Sequence, residues 1–267
     1  MFDWLTVLLL GLAEGLTEYL PISSTGHLIL LGDLLNFNDD KGKVFEIVIQ
    51  LGAILAVCVA YRTRLIHVIK TLSHSHTSQR FVTHILIAFL PAVILGVLFH
   101  KVIKAYLFNP LNVGIMLVLG GIIIFLVERR PLQHTIDSIE KMDNLTALKV
   151  GLAQCLAMIP GTSRSGATII GGLLFGLSRS VVTEFSFFLA IPTMFGAVVY
   201  DLYKNRSILD LHDLPMFSLG FFAAFVSGLI AVKLLLKYVS THNFTVFAYY
   251  RIIFGTIIII YYSKIHF

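Results

Sequence analysis

Six apolar stretches, 44–61, 81–100, 111–127, 181–200, 216–236 and 244–263, dominate the sequence, and each is close to the length a helix needs to cross a lipid bilayer. Lipid offers no hydrogen bonds, so such segments satisfy their backbone internally, as helices. A chain of 267 residues that is 57% hydrophobic and 13% charged, with mean hydropathy +0.87, cannot hide its apolar surface in one aqueous core. The sequence therefore predicts an all-α polytopic integral membrane protein. Asp3 stands where a secretory leader would be basic and glutamates follow the first apolar run, so a cleaved signal peptide is not expected.

One region is polar where its surroundings are oily. Between the apolar runs 4–12 and 28–31 lie Glu14, Glu18, Ser23, Ser24, Thr25, Gly26 and His27, interrupted by Pro21. Ionisable groups at membrane depth are costly and usually functional. Glu14 and Glu18, one turn apart, project from one helix face, and Pro21 ends or kinks that helix. The pattern is a helix, a break and a second helix start, dipping into the bilayer and returning on the same side. Such re-entrant pieces are tolerated where protein or a wet cavity surrounds them.

A sister stretch runs from Gly151 to Ile169, with a break at Pro160, then Gly161, Thr162, Ser163, Arg164, Ser165 and Gly166. Both stretches begin Gly-Leu-Ala, break at proline, and continue with a Ser/Thr cluster and a glycine about 140 positions apart. The expected organisation is a first repeat, 1–130, with a re-entrant unit 1–35 and spans 44–61, 81–100 and 111–127. A linker, 131–148, leads to a second repeat, 149–267, with a re-entrant unit 149–177 and spans 181–200, 216–236 and 244–263. Pro91 is expected to kink its span, 62–80 reads as a loop, and Gly121 pairs by position with Gly255. Three crossings per half would invert the second copy, so the broken segments would enter from opposite faces and meet at a midplane site. The alternative is eight full spans without re-entrance. Loops 62–80, 128–149 and 233–243 hold ten basic residues against seven on the opposite side, which favours placing the ten inside and both termini outside.

Net charge +5 is scattered over loops rather than clustered, so a nucleic-acid partner is not expected. Cys58 and Cys155 lie in apolar segments with no metal-ligand spacing, and no disulfide is predicted. The tract with His74 and His76 reads as a solvated loop. Trp4, Tyr61, Tyr200, Tyr261 and Tyr262 read as interfacial aromatics. Glu46, Gln50, Glu184 and Ser186 are placed to face a cavity, with Glu46 and Gln50 as supporting residues of a site. The oligomeric state is not fixed by the sequence, with which a homodimer is compatible.

Arg164 is the sharpest indication of a ligand. A guanidinium beside hydroxyls, glycines and a helix N-terminus suits phosphate oxygens, so a phosphate or diphosphate is the expected guest, with pairing to a glutamate of the other repeat as a compatible role. Glu14 and Glu18 read as a protonated structural pair, a proton relay, or ligands to a divalent cation such as Mg²⁺ or Ca²⁺ that also holds a diphosphate. His27 suits a general acid, a general base or a nucleophile. Ser24 is the favoured nucleophile, assisted by the nearby His27, with Ser23 and Thr25 donating to phosphate oxygens, and spacing leaves water open as the attacker.

The motif Glu-Gly-Leu-Thr-Glu-Tyr-Leu-Pro-Ile-Ser-Ser-Thr-Gly-His at 14–27, with Pro-Gly-Thr-Ser-Arg-Ser-Gly-Ala-Thr at 160–168, resembles the bacterial undecaprenyl-diphosphate phosphatases, also called bacitracin-resistance proteins. The resemblance covers nearly the whole chain. It implies hydrolysis of the C55 lipid carrier diphosphate to its monophosphate, with inorganic phosphate released and the carrier recycled for cell-wall synthesis. It also implies a divalent cation and a multi-pass protein of the bacterial inner membrane whose site opens toward the periplasmic or outer face. On these motifs the family's acidic positions fall on Glu14 and Glu18, its hydroxyl and histidine positions on Ser23, Ser24, Thr25 and His27, and its arginine motif on Ser163 and Arg164. Gly26, Ser165 and Gly166 complete the expected substrate-binding set. The rival from another class is a transporter or lipid flippase, since broken helices in inverted repeats also build transporters.

Overall fold

The computed structural model describes residues 4–37, 40–107, 109–205 and 211–265. Asp3 lies outside the described residues. Secondary structure among them is helical apart from one isolated bridge, Ile136 to Leu177, where the linker backbone pairs with the turn after a short helix. The helices are α1 (Trp4–Glu18), α2 (Ser24–Leu34), α3 (Asp40–Ala60), α4 (Arg62–Thr71), α5 (His76–Tyr106), α6 (Pro110–Glu128), α7 (Asn144–Gln154), α8 (Arg164–Leu174), α9 (Arg179–Lys204), α10 (Leu214–Val239) and α11 (Thr245–Ile265).

Six of these, α3, α5, α6, α9, α10 and α11, are long and apolar enough to cross a membrane. The other helices are too short: α1 has 15 residues and α2, α7 and α8 have 11 each, below the roughly 20 needed at 1.5 Å rise per residue. Each half therefore opens with two short helices joined at a break. The breaks share a backbone signature: Ser23 (φ 68°) and Ser163 (φ 71°), at the N-caps of α2 and α8, are two of the three non-glycine residues with positive φ among the described residues. L-residues adopt this region at a cost of roughly 1–2 kcal/mol, so tertiary contacts hold both turns.

The packing exchanges between halves. α1 lies against α10, the middle span of the second half, while α7 lies against α5, the middle span of the first. The first spans of the two halves, α3 and α9, pack on each other, as do the last, α6 and α11. Close approach seats α1, because a Cβ on Gly15 would stand 2.2 Å from the Ala224 carbonyl oxygen and 2.1 Å from Ser227 Oγ. That contact fixes the face from which Glu14 and Glu18 project. The largest apolar cluster lies among α3, α5, α7, α8 and α9, with Tyr19, Phe185, Phe187 and Phe188 fully or almost fully buried.

The segment 62–80, expected as a loop, is mostly helical. Leu65, Ile66, Val68 and Ile69 recur at helical spacing between basic residues, Val68 is buried, and Ile69 remains 74% exposed. Arg64 of this helix bridges Glu140 (2.6 Å) and Glu184 (2.9 Å) beneath the rings of Phe81 and Phe188, which takes Glu184 away from the cavity expected for it. Tyr262, near the end of α11, is buried and donates its hydroxyl to Asp33.

Candidate active site

The two broken segments meet. Arg164 Nη2 reaches Glu18 Oε1 at 3.2 Å across 146 residues of sequence, and both side chains are almost completely buried. The other carboxylate oxygen, Oε2, accepts the Ser24 hydroxyl at 2.5 Å. One carboxylate thus holds a hydroxyl from its own half and a guanidinium from the other. Arg164 is further fixed by Nη1 donating to the Ser186 carbonyl at 2.8 Å and by the face of the Tyr19 ring, 5.7 Å away. Tyr19 is held in turn by its hydroxyl on the Ala53 carbonyl at 2.7 Å.

These groups form one end of a cleft of about 620 Å³. Glu18, Ser23, Ser24, Thr25, Ser163 and Arg164 line the polar end together with Gln50 and Gln154. The walls continue along α5 and α9, past Phe89, Val93, Val97, Met194 and Ala197, to Tyr200 and Asp201. The volume suits a small polar head, and the walls suit an apolar chain.

The remaining expected site residues, Glu14, Gly26, His27, Ser165 and Gly166, do not line the cleft. Glu14 is 1% exposed, and its Oε1 has no hydrogen-bond partner. His27 faces away from Ser24: Nδ1 pairs with the Ser23 carbonyl at 2.7 Å, Nε2 pairs with the Tyr250 hydroxyl at 2.6 Å, and the ring stacks on Phe254. The expected pairing of Ser24 with His27 gives way to Ser24 with Glu18, because the helical turn that begins at Ser24 points the imidazole toward α11. Ser165 is fully buried and ties the halves together, its Oγ donating to the Leu20 carbonyl at 2.7 Å. Gly26 and Gly166 are packing positions, Gly26 against Leu117 and Gly166 beside Arg251.

Two residues at this centre were not singled out from sequence. Arg251 of α11 is 0% exposed and donates to the carbonyls of Pro21 (3.1 Å), Gly161 (3.0 Å) and Thr162 (2.9 Å), and also to Met116 (3.1 Å) and Leu117 (3.2 Å) of α6. It clamps both breaks to one point. Gly120 makes the room, since a Cβ there would lie 2.1 Å from Arg251 Nη2. A lone arginine inside an apolar span was the available signal. The second residue, Gln154, is 2% exposed, and neither its Nε2 nor its Oε1 has a protein partner. Its signal was the repeat itself: Gln154 precedes Ser163 by the same interval as Glu14 precedes Ser23.

Among the described residues no group of three or more His, Cys, Asp or Glu side chains could hold a metal unaided. Glu14 and Glu18 still fit a divalent cation that takes its remaining ligands from substrate phosphates and water, as Mg²⁺ usually does. The buried Glu14 Oε1, without a donor, is the observation that favours this fit.

The chain matches the family model described as bacitracin resistance protein BacA over residues 7–257. It is 62% identical to an undecaprenyl-diphosphatase of Nitrosospira multiformis, the alignment covering 97% of this chain and 96% of that one. It is 60% identical to the undecaprenyl-diphosphatase of Methylococcus capsulatus over 96% of this chain and 94% of that one. The protein of the same name from Nitrosomonas europaea is also 60% identical, over 97% and 95%. With the family model matched over residues 7–257 and relatives at 60–62% identity aligned over almost their full length, this chain belongs to the bacitracin resistance protein BacA family.

Proposed function

We propose that this protein is a membrane phosphatase that hydrolyses undecaprenyl diphosphate to undecaprenyl phosphate and inorganic phosphate, recycling the lipid carrier for cell-wall synthesis and so conferring bacitracin resistance. The observation that carries the reading is the shared carboxylate, Glu18, which holds Ser24 Oγ at 2.5 Å and the Arg164 guanidinium at 3.2 Å inside one cleft.

The diphosphate enters the polar end, and the prenyl tail lies along the apolar walls of α5 and α9. Arg164 and the N-terminal N–H groups of α2 and α8 bind the phosphate oxygens. Glu14 and Glu18 would hold a divalent cation, Mg²⁺ or Ca²⁺, which when bound offsets the charge of the diphosphate. Ser24 Oγ attacks the terminal phosphorus while its proton passes to Glu18 Oε2. The bond from that phosphorus to the bridging oxygen breaks, and its electron pair stays with the prenyl monophosphate. Water then attacks the phosphoserine and the bond from phosphorus to Ser24 Oγ breaks; both water protons leave on the inorganic phosphate, and Ser24 recovers its own proton from Glu18. Positioning and charge stabilisation, rather than covalent strain, carry most of the rate in such transfers. His27, bonded to Tyr250, shapes the turn that presents Ser24.

The cleft ends at Tyr200 and Asp201, near the C-terminus of α9. That is the side poorer in basic residues, which supports placement in the bacterial inner membrane with the two halves inverted and the cleft open toward the periplasm. The test is phosphate release from undecaprenyl diphosphate by the purified protein in detergent with Mg²⁺ or Ca²⁺ supplied. Turnover is expected, and Glu18→Gln or Arg164→Ala should reduce it by at least about 100-fold. A transporter would release no phosphate, and that result would refute the reading.

A further inference from the structure

The second half of the site holds a polar side chain that neither the packing nor the chemistry above uses. Gln154 ends α7, is 2% exposed, lines the cleft, and leaves both polar atoms of its amide without a protein partner. A buried amide in that condition destabilises the resting fold, so a structural role does not account for it. Arg164 Nε, in the same cleft, is also buried and without a partner, while its Nη atoms donate to Ser186 and Glu18. Two donors are therefore left open on the arginine side of the cleft.

The repeat says what kind of site this is. Glu14 and Gln154 stand at matching positions in the two halves, each buried before its break and each incompletely partnered. The first half presents an acid, suited to a cation, and the second presents a neutral amide. A carboxylate at 154 would repel a polyanion, whereas an amide donates to one without adding charge.

We propose that Gln154 is a substrate-binding residue whose side-chain amide donates to a nonbridging oxygen of the diphosphate, beside the Nε–H of Arg164. The inference rests on the phosphatase reading. It gives the two halves different roles, the Glu14 half carrying the acids and the Gln154 half gripping the anion. Because the amide meets the phosphate before and during transfer alike, its loss weakens binding more than it slows chemistry.

The test compares the purified full-length protein with Gln154→Met, which keeps the volume and removes the amide, and Gln154→Glu, which keeps the shape and adds charge. Undecaprenyl diphosphate is the substrate, and phosphate release and the melting temperature in detergent are read together. Gln154→Met should raise KM about 10- to 100-fold, the range of one hydrogen bond to a charged oxygen, with kcat changed less than about threefold and the melting temperature unchanged or higher. Gln154→Glu should raise KM further. Wild-type KM in Gln154→Met would overturn the proposal, and so would a fall in melting temperature that parallels the loss of activity. If the unsubstituted protein releases no phosphate, the phosphatase reading itself has failed; if it does and Gln154→Met matches it, only this inference has.

Discussion

Removing the Arg251 guanidinium should disable the site from a distance. Its partners divide into two kinds. The Met116 and Leu117 carbonyls belong to α6 and keep helical partners, whereas those of Pro21, Gly161 and Thr162 lie in the breaks and have none. Arg251→Met therefore orphans the buried carbonyls of Pro21 and Gly161 and the half-buried one of Thr162, a gross loss of roughly 2–6 kcal/mol from the two buried groups at about 1–3 kcal/mol each. Relief from burying a cation offsets part of this, so a net loss near the lower end is expected. The breaks also lose their shared anchor, and a displacement of about 1 Å at Ser24 or Arg164 is enough to cost about 100-fold in rate. Arg251→Lys keeps the charge but cannot span carbonyls on three segments, so it should recover stability better than turnover. Thermal unfolding in detergent and steady-state phosphate release give the two quantities. An Arg251→Met protein with wild-type melting temperature and kcat would refute the argument that this residue couples the breaks.

Two further outcomes follow from the geometry. Ser24→Ala should lower turnover by about 100-fold or more, and acid-quenched wild-type enzyme should carry a phosphoserine detectable by mass spectrometry; ordinary turnover in the variant would assign the attack to water. Asp143 caps α7 by accepting the Thr146 N–H at 2.8 Å, and this bond, with the backbone of the same turn, holds its carboxyl below the ordinary value. A carboxyl lowered on folding stabilises above its unfolded pKa, and the contribution disappears as pH falls through the folded one. The melting-temperature difference between wild type and Asp143→Ala should therefore be constant above about pH 5 and narrow in acid; a difference independent of pH would show that the cap is not charge-assisted.

The layout of the chain was legible because lipid reduces the choice to helices, so hydropathy and length alone mark α3, α5, α6, α9, α10 and α11. The two breaks were legible for the opposite reason, since Pro21 and Pro160 stand beside polar residues that lipid would not tolerate without a use. Helix α4 was missed because its apolar residues alternate with arginine and histidine, a pattern that length and mean hydropathy do not register but 3.6-residue periodicity does. The partners of His27 were not legible at all. Tyr250 lies 223 residues away, and only the packing of α2 on α6 and of α6 on α11 brings it near. Arg251 and Gln154 carried signals, a charge within a span and a position within a repeat, but each signal gained meaning only when the surrounding carbonyls and the cleft were in view.

Glu18 and Arg164, from opposite halves, should surround one diphosphate within reach of Ser24, and the whole mechanism depends on that placement. A structure of the protein with Mg²⁺ and a non-hydrolysable methylenediphosphonate of a prenyl alcohol would show it. The terminal phosphorus is expected about 3–3.5 Å from Ser24 Oγ, with Arg164 on its oxygens. A diphosphonate bound outside the reach of Arg164, or a cleft that holds only the prenyl tail, would rule the mechanism out.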